Sequence, residues 1–93
     1  MDKQKTGIAW YRAEQWERLR EISVDRNNLE KTHIEWLQVA EEMLMKLSAE
    51  GFDVVRYEVD VELLLKYCKD HKIPINGNSR SRYVTEMLLK QSP

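Results

Sequence analysis

One stretch of the chain, Asp53-Val54-Val55-Arg56-Tyr57-Glu58-Val59, alternates between side chains suited to a core and side chains suited to water. Val55, Tyr57 and Val59 fall on one side of an extended backbone and Arg56 and Glu58 on the other, the pattern of a half-buried strand. A lone strand leaves its N–H and C=O groups without partners. The natural partner is the other short β-prone segment, Ile8-Ala9-Trp10-Tyr11-Arg12, as an edge strand. A two-stranded ribbon does not stand alone in water, so the rest of the chain must cover it.

That rest reads as helix. Trp16, Leu19 and Ile22 stand three apart, which predicts a first helix over 13–22, and Ser23-Val24-Asp25-Arg26-Asn27-Asn28 then reads as a turn. Thr32-His33-Ile34-Glu35 has the form of a capping box, in which the Thr32 hydroxyl accepts from the Glu35 amide and Glu35 reaches back. The stripe His33, Trp36, Leu37, Ala40, Met43, Leu44, Leu47 follows, and Gly51 supplies a left-handed stop. Asp60 is placed to cap a third helix, 61–71, with Val61, Leu64, Leu65 and Cys68 inside and Leu63 and Tyr67 widening the apolar face. Ile73-Pro74-Ile75-Asn76-Gly77 is an extended connection. Asn78 or Ser79 caps a fourth helix, 79–91, with Tyr83, Val84, Met87, Leu88 and Gln91 on or beside its inner face. The expected fold is α+β and mostly helical: about four helices in a layer on a short two-stranded sheet, in the order β-α-α-β-α-α. Its 93 residues make a single domain.

The chemistry-bearing residues are few. Cys68 is the only cysteine, so no intrachain disulfide forms and no paired-cysteine zinc site can be written. Cys68 and His71 have the spacing of a thiolate–imidazole pair, but Cys68 lies on an apolar stripe, where cysteine is a small inert hydrophobe. Glu30-x-x-His33 is a single copy of a spacing that di-iron sites use twice. Gly7, Gly51 and Gly77 are isolated, so there is no phosphate loop. No cofactor, metal or enzymatic activity is expected. The start, Met1-Asp2-Lys3-Gln4-Lys5-Thr6, is polar, and no apolar run approaches membrane-spanning length. A cytoplasmic protein without membrane attachment is the expectation.

Charge is the main electrostatic clue. The net charge is −1, but residues 1–34 carry +1, residues 35–62 carry −6 and residues 63–93 carry +4. Glu41, Glu42, Glu50, Asp53, Glu58, Asp60 and Glu62 make an acidic middle that reads as a solvated face. Lys66, Lys69 and Lys72 lie on the third helix and its exit, and Arg80 and Arg82 in the first turn of the fourth. Cations at a helix N-terminus oppose its dipole, so acidic neighbours or an outside anion must offset them. These five are the candidate contacts for nucleic acid or another anion; the competing reading pairs them with the acidic middle. Trp10, Trp16 and Trp36 are many for this length. Two of them suffice to anchor the core, which leaves one for a protein interface, and sequence does not say which.

The segment Leu63-Leu64-Leu65-Lys66-Tyr67-Cys68 … Lys72-Ile73-Pro74-Ile75-Asn76-Gly77-Asn78-Ser79-Arg80 … Tyr83-Val84 … Met87-Leu88 resembles the helix–extended loop–helix of SAP domains. In that family a Leu-Pro-x-x-Gly-like loop joins two short helices, and the module binds DNA. The resemblance covers about a third of the chain and implies DNA contacts for Arg80 and Arg82. Lys72 stands where the family usually has Gly, and Ser79 where it often has Lys. The whole chain also resembles a group of short, uncharacterised bacterial proteins through Glu35-Trp36-Leu37, Val59-Asp60-Val61, Tyr67-Cys68, Ile73-Pro74 and Arg80-Ser81-Arg82-Tyr83-Val84. That resemblance implies a shared fold and bacterial origin, and no activity. The expected function is a small non-enzymatic interaction or regulatory protein that binds a protein partner through an aromatic and acidic surface. The alternative is a nucleic-acid-binding module using the basic helix–loop–helix end.

Overall fold

The computed structural model describes residues 4–91. Met1, Asp2 and Lys3 of the polar N-terminal segment lie outside the described residues, as do Ser92 and Pro93. Strand β1 (Lys5–Trp10) is followed by α1 (Ala13–Ile22), a single 3-10 turn (Arg26–Asn28) and α2 (His33–Ala49). Strand β2 (Asp53–Glu58), α3 (Val61–Asp70) and α4 (Gly77–Gln91) complete the fold, in the expected β-α-α-β-α-α order. The strands pair in parallel, with Lys5 opposite Asp53 and Trp10 opposite Glu58. Parallel pairing needs a long crossover, and α1 with α2 supplies it. β1 begins at Lys5 rather than Ile8 and ends before Tyr11. The Trp10 carbonyl accepts the Val59 N–H at 2.9 Å as the last rung, and Tyr11 then turns into the core.

Lys5, Gly7 and Ala9 share one sheet face with Asp53, Val55 and Tyr57; Thr6, Ile8 and Trp10 share the other with Val54, Arg56 and Glu58. α4 covers the first face. Tyr83 meets Tyr57 edge-on at 6.2 Å, and a Cβ at Gly7 would overlap Leu88 Cδ1 and come within 3.1 Å of Val84 Cγ1. α2 covers the second face, with Trp36 edge-on to Trp10 at 5.3 Å. The helices thus divide between two faces instead of forming one layer, because each face carries apolar side chains that need cover.

The main core lies past the C-terminal ends of both strands. Tyr11 and Val59, the residues that follow the strands closely, meet Trp16 and Leu19 of α1, Val61, Leu64 and Cys68 of α3, and Tyr83 and Val84 of α4. Only Ala40 of α2 is fully buried. Two strands less than 5 Å apart are about as wide as one helix, so the flanks of α2 overhang them. Met43, expected inside, is consequently 51% exposed. Leu63, on the side of α3 away from the core, is 54% exposed.

The helix ends follow local chemistry. The Thr32 hydroxyl accepts from the Glu35 N–H at 3.2 Å, and Asp60 Oδ1 accepts from the Glu62 and Leu63 N–H groups. α4 starts earlier than the sequence suggested, because Asn76, not Asn78 or Ser79, caps it. The Ser79 N–H donates to Asn76 Oδ1 at 3.0 Å while the Asn76 N–H donates to Ser79 Oγ at 2.9 Å, a reciprocal box. α2 and α3 end in the same double-bonded Schellman turn. Phe52 N–H donates to Leu47 O and Gly51 N–H to Ser48 O; Ile73 N–H donates to Cys68 O and Lys72 N–H to Lys69 O. The left-handed residue is Gly51 (φ 99°) in one and Lys72 (φ 56°) in the other. Among the described residues, no helix is long and apolar enough to cross a membrane.

Candidate interaction surfaces

Of the five candidate basic contacts, Arg80 is engaged inside the fold, and Lys66, Lys69, Lys72 and Arg82 lie at the surface. Arg80 turns inward. Its Nη1 and Nη2 donate to Asp25 Oδ1 at 2.9 Å and Oδ2 at 2.7 Å, and Nη1 also donates to Ser23 Oγ at 3.2 Å. The side chains of Arg80 and Asp25 are only 12% and 20% exposed. The Arg80 hydrogen bonds hold the Asp25 carboxyl below its usual range against the opposing effect of burial, and the Gly77 N–H adds to the pull. The cation that opposes the dipole of α4 is therefore offset from inside the fold, by a carboxylate that the Gly77 N–H at the start of the helix also stabilises. Asp25 lies in the turn after α1, far in sequence from Glu58, Asp60 and Glu62. Those acids are engaged elsewhere: Arg12 Nε meets Glu58 Oε1 at 2.6 Å, and Arg18 Nε meets Glu62 Oε2 at 2.8 Å.

Arg82 stays at the surface. Its Nε lies 3.4 Å from Glu86 Oε1, and its guanidinium sits 5.9 Å from the centre of the Tyr67 ring. The Tyr67 hydroxyl is buried and makes no hydrogen bond of good geometry; desolvation, with the nearby Glu86, pushes its pKa up. Lys66, Lys69 and Lys72 are exposed. Lys66 and Lys90 flank an open groove of about 380 Å³ between α3 and α4, floored by Tyr67 and Tyr83.

The tryptophans form one continuous aromatic wedge. Trp16 is 2% exposed, stacks on Trp36 at 5.3 Å and donates its indole N–H to Glu30 O at 3.1 Å, so it belongs to the core and has no surface to offer. Trp10 and Trp36 are half-buried and touch each other; the Arg56 guanidinium lies 5.2 Å from the Trp10 ring centre. From Trp36 an apolar flank continues along α2 through Val39, Met43 and Leu47, at spacings of three and four. Val39 and Met43 are exposed, and Ile34 and Met45 are exposed on the opposite flank. Between the flanks lie Glu35 and Glu42. Sequence reasoning assigned Met43 to the core stripe, and the width of the sheet, which limits how much of α2 is covered, could not be read from α2 itself.

The remaining reactive groups are occupied structurally. Cys68 is buried in the core. His71 stacks on Tyr67 at 4.2 Å and places Nδ1 2.8 Å from the Tyr67 carbonyl, and His33 Nε2 lies 2.7 Å from Tyr11 O. Among the described residues no three His, Cys, Asp or Glu side chains gather as a metal set. Comparison of the chain with protein-family models, with curated proteins and with solved structures finds no match in any of the three.

Proposed function

We propose that this chain is a non-enzymatic, cytoplasmic protein-interaction module whose partner docks along α2. The observation that carries the reading is the apolar flank Trp36–Val39–Met43–Leu47, exposed at Val39 and Met43 and half-buried at its two ends, beside Glu35 and Glu42. A half-buried Trp with Val and flexible Met neighbours is the composition of a docking patch, since Trp anchors and Met adapts. The flanking carboxylates favour a segment carrying apolar side chains and Lys or Arg. The test is affinity capture from a nuclease-treated lysate with the parent chain and with Val39→Ser/Met43→Ser, both checked for helicity. A defined polypeptide held by the parent and released by the variant supports the reading. Equal capture by both removes it.

The second reading, nucleic-acid binding, rests on the exposed Lys66, Lys69 and Lys72, on the Lys66–Lys90 groove, and on the order of α3, the 71–76 connection and α4, which is that of the SAP module. With Arg80 engaged by Asp25, the burden falls on the lysines and Arg82. Binding of a short duplex that weakens steeply with salt, and is lost in Lys66→Glu/Lys69→Glu, is its expected signature.

A further inference from the structure

The open edge of β1 has the makings of a self-pairing strand. In the parallel ladder, Asp53 N–H donates to Gln4 O and Val59 N–H to Trp10 O. With the register continuous between them, the even-numbered residues of β1 bond to β2, and the N–H and C=O of Lys5, Gly7 and Ala9 point away from it. No hydrogen bond within the described residues engages those outward groups. Beside them lies a groove of about 360 Å³ bounded by Lys5, Thr6 and Gly7 on one side and Thr85, Leu88 and Leu89 of α4 on the other. Leu89 on its rim is 69% exposed.

The two edges of the sheet differ in charge. β2 turns Val54, Arg56 and Glu58 to its open edge, and charged residues there are the usual protection against strand addition. On the open edge of β1, Lys5 is the single charge, and Gly7 and Ala9 carry none. We infer that the occupant of the β1 edge is a second copy of this chain, paired antiparallel about a two-fold axis through Gly7. In that register Gly7 faces Gly7 of the other copy, Lys5 faces Ala9, Thr6 faces Ile8 and Gln4 faces Trp10. No like charges oppose each other, and each Lys5 keeps Asp53 of its own chain beside it. Lys5, Gly7 and Ala9 then exchange their outward backbone bonds with the partner strand, as an isologous pair requires. Leu88 of each copy already covers its own Gly7, so the exposed Leu89 side chains on the groove rims are the apolar groups that the two copies bring together. The product is a four-stranded sheet, β2-β1-β1-β2, in place of an isolated two-stranded ribbon.

The experiment combines mass and amide exchange. Sedimentation of the parent chain across a dilution series should give a species of twice the 11.1 kDa monomer mass that dissociates on dilution. In the concentrated sample the amides of Lys5, Gly7 and Ala9 should be protected from hydrogen exchange, and on dilution that protection should be lost while the α3 amides stay protected. Ala9→Pro removes one outward N–H, which bonds to nothing inside the monomer, and should return the mass to that of the monomer with helicity unchanged. A monomer at every concentration with free exchange at Lys5, Gly7 and Ala9 overturns the inference. So does a dimer in which those three amides exchange freely, since it would use another surface. The exchange arm is read on the parent chain, so it stands if the proline variant misfolds.

Discussion

The Arg80–Asp25 pair ties the turn after α1 to the start of α4, and its removal has a calculable consequence. An exposed ion pair contributes less than about 1 kcal/mol, whereas breaking a buried one costs about 3–5 kcal/mol. Side chains that are 12% and 20% exposed, joined by two charge-assisted hydrogen bonds, lie between these limits. Arg80→Met, which keeps the aliphatic stem, and Asp25→Asn, which keeps the shape, should each cost about 2 kcal/mol, because each strands a desolvated partner. The double variant should cost little more than either single one, giving a coupling of about 1–2 kcal/mol. Urea unfolding followed by the emission of the three tryptophans reads all four proteins, and the slope against denaturant should not change. The pair also has a pH signature. Asp25 titrates below its usual range in the fold, so its contribution is present above the unfolded-state value of about 3.9 and is lost as pH falls through the folded one. Asp25→Asn should flatten that part of the acid-unfolding curve. Additive single variants, with a coupling below about 0.5 kcal/mol, would refute the reasoning and return Arg80 to the pool of free surface cations.

The two Schellman turns make opposite predictions. Lys72→Gly should raise stability by up to about 1 kcal/mol, because a left-handed lysine is replaced by the residue that adopts φ 56° freely, whereas Gly51→Ala should cost about 1 kcal/mol at φ 99°; thermal melts of both variants decide it. Gly7→Val should cost about 2 kcal/mol or more, with Gly7→Ala milder because the side chain it meets first is the flexible end of Leu88. Burial pushes the Tyr11 and Tyr83 phenols up to about 12. Their contribution is therefore present below about pH 10 and is lost as pH rises toward the folded value. Ultraviolet titration should show two tyrosines that ionise only as the protein unfolds in alkali.

Local signals carried much of the fold. The alternation over 53–59 demanded a strand and therefore a partner strand, and the period of Trp16, Leu19 and Ile22 marked α1 because a helix of that pitch puts them on one face. Thr32, Asp60 and Gly51 act on backbone groups within four residues, so their capping roles were legible without any tertiary information. Asn76 was legible in principle, as Asn-x-x-Ser, but the competing Asn78 and Ser79 lay closer to the apolar run. What the sequence could not contain was the disposition of one element against another. Parallel pairing, helices on both faces, and the overhang that exposes Val39 and Met43 depend on how wide the sheet is and where α2 crosses it. The inward turn of Arg80 depends on Asp25, which stands 55 residues away in a turn that only the packed core brings near. Periodicity and caps are set by neighbours along the chain and survive in the sequence. Which charges meet, which apolar flank stays bare and which strand edge stays open are set by neighbours in space, and those were decided only when α1, α3 and α4 closed on one another.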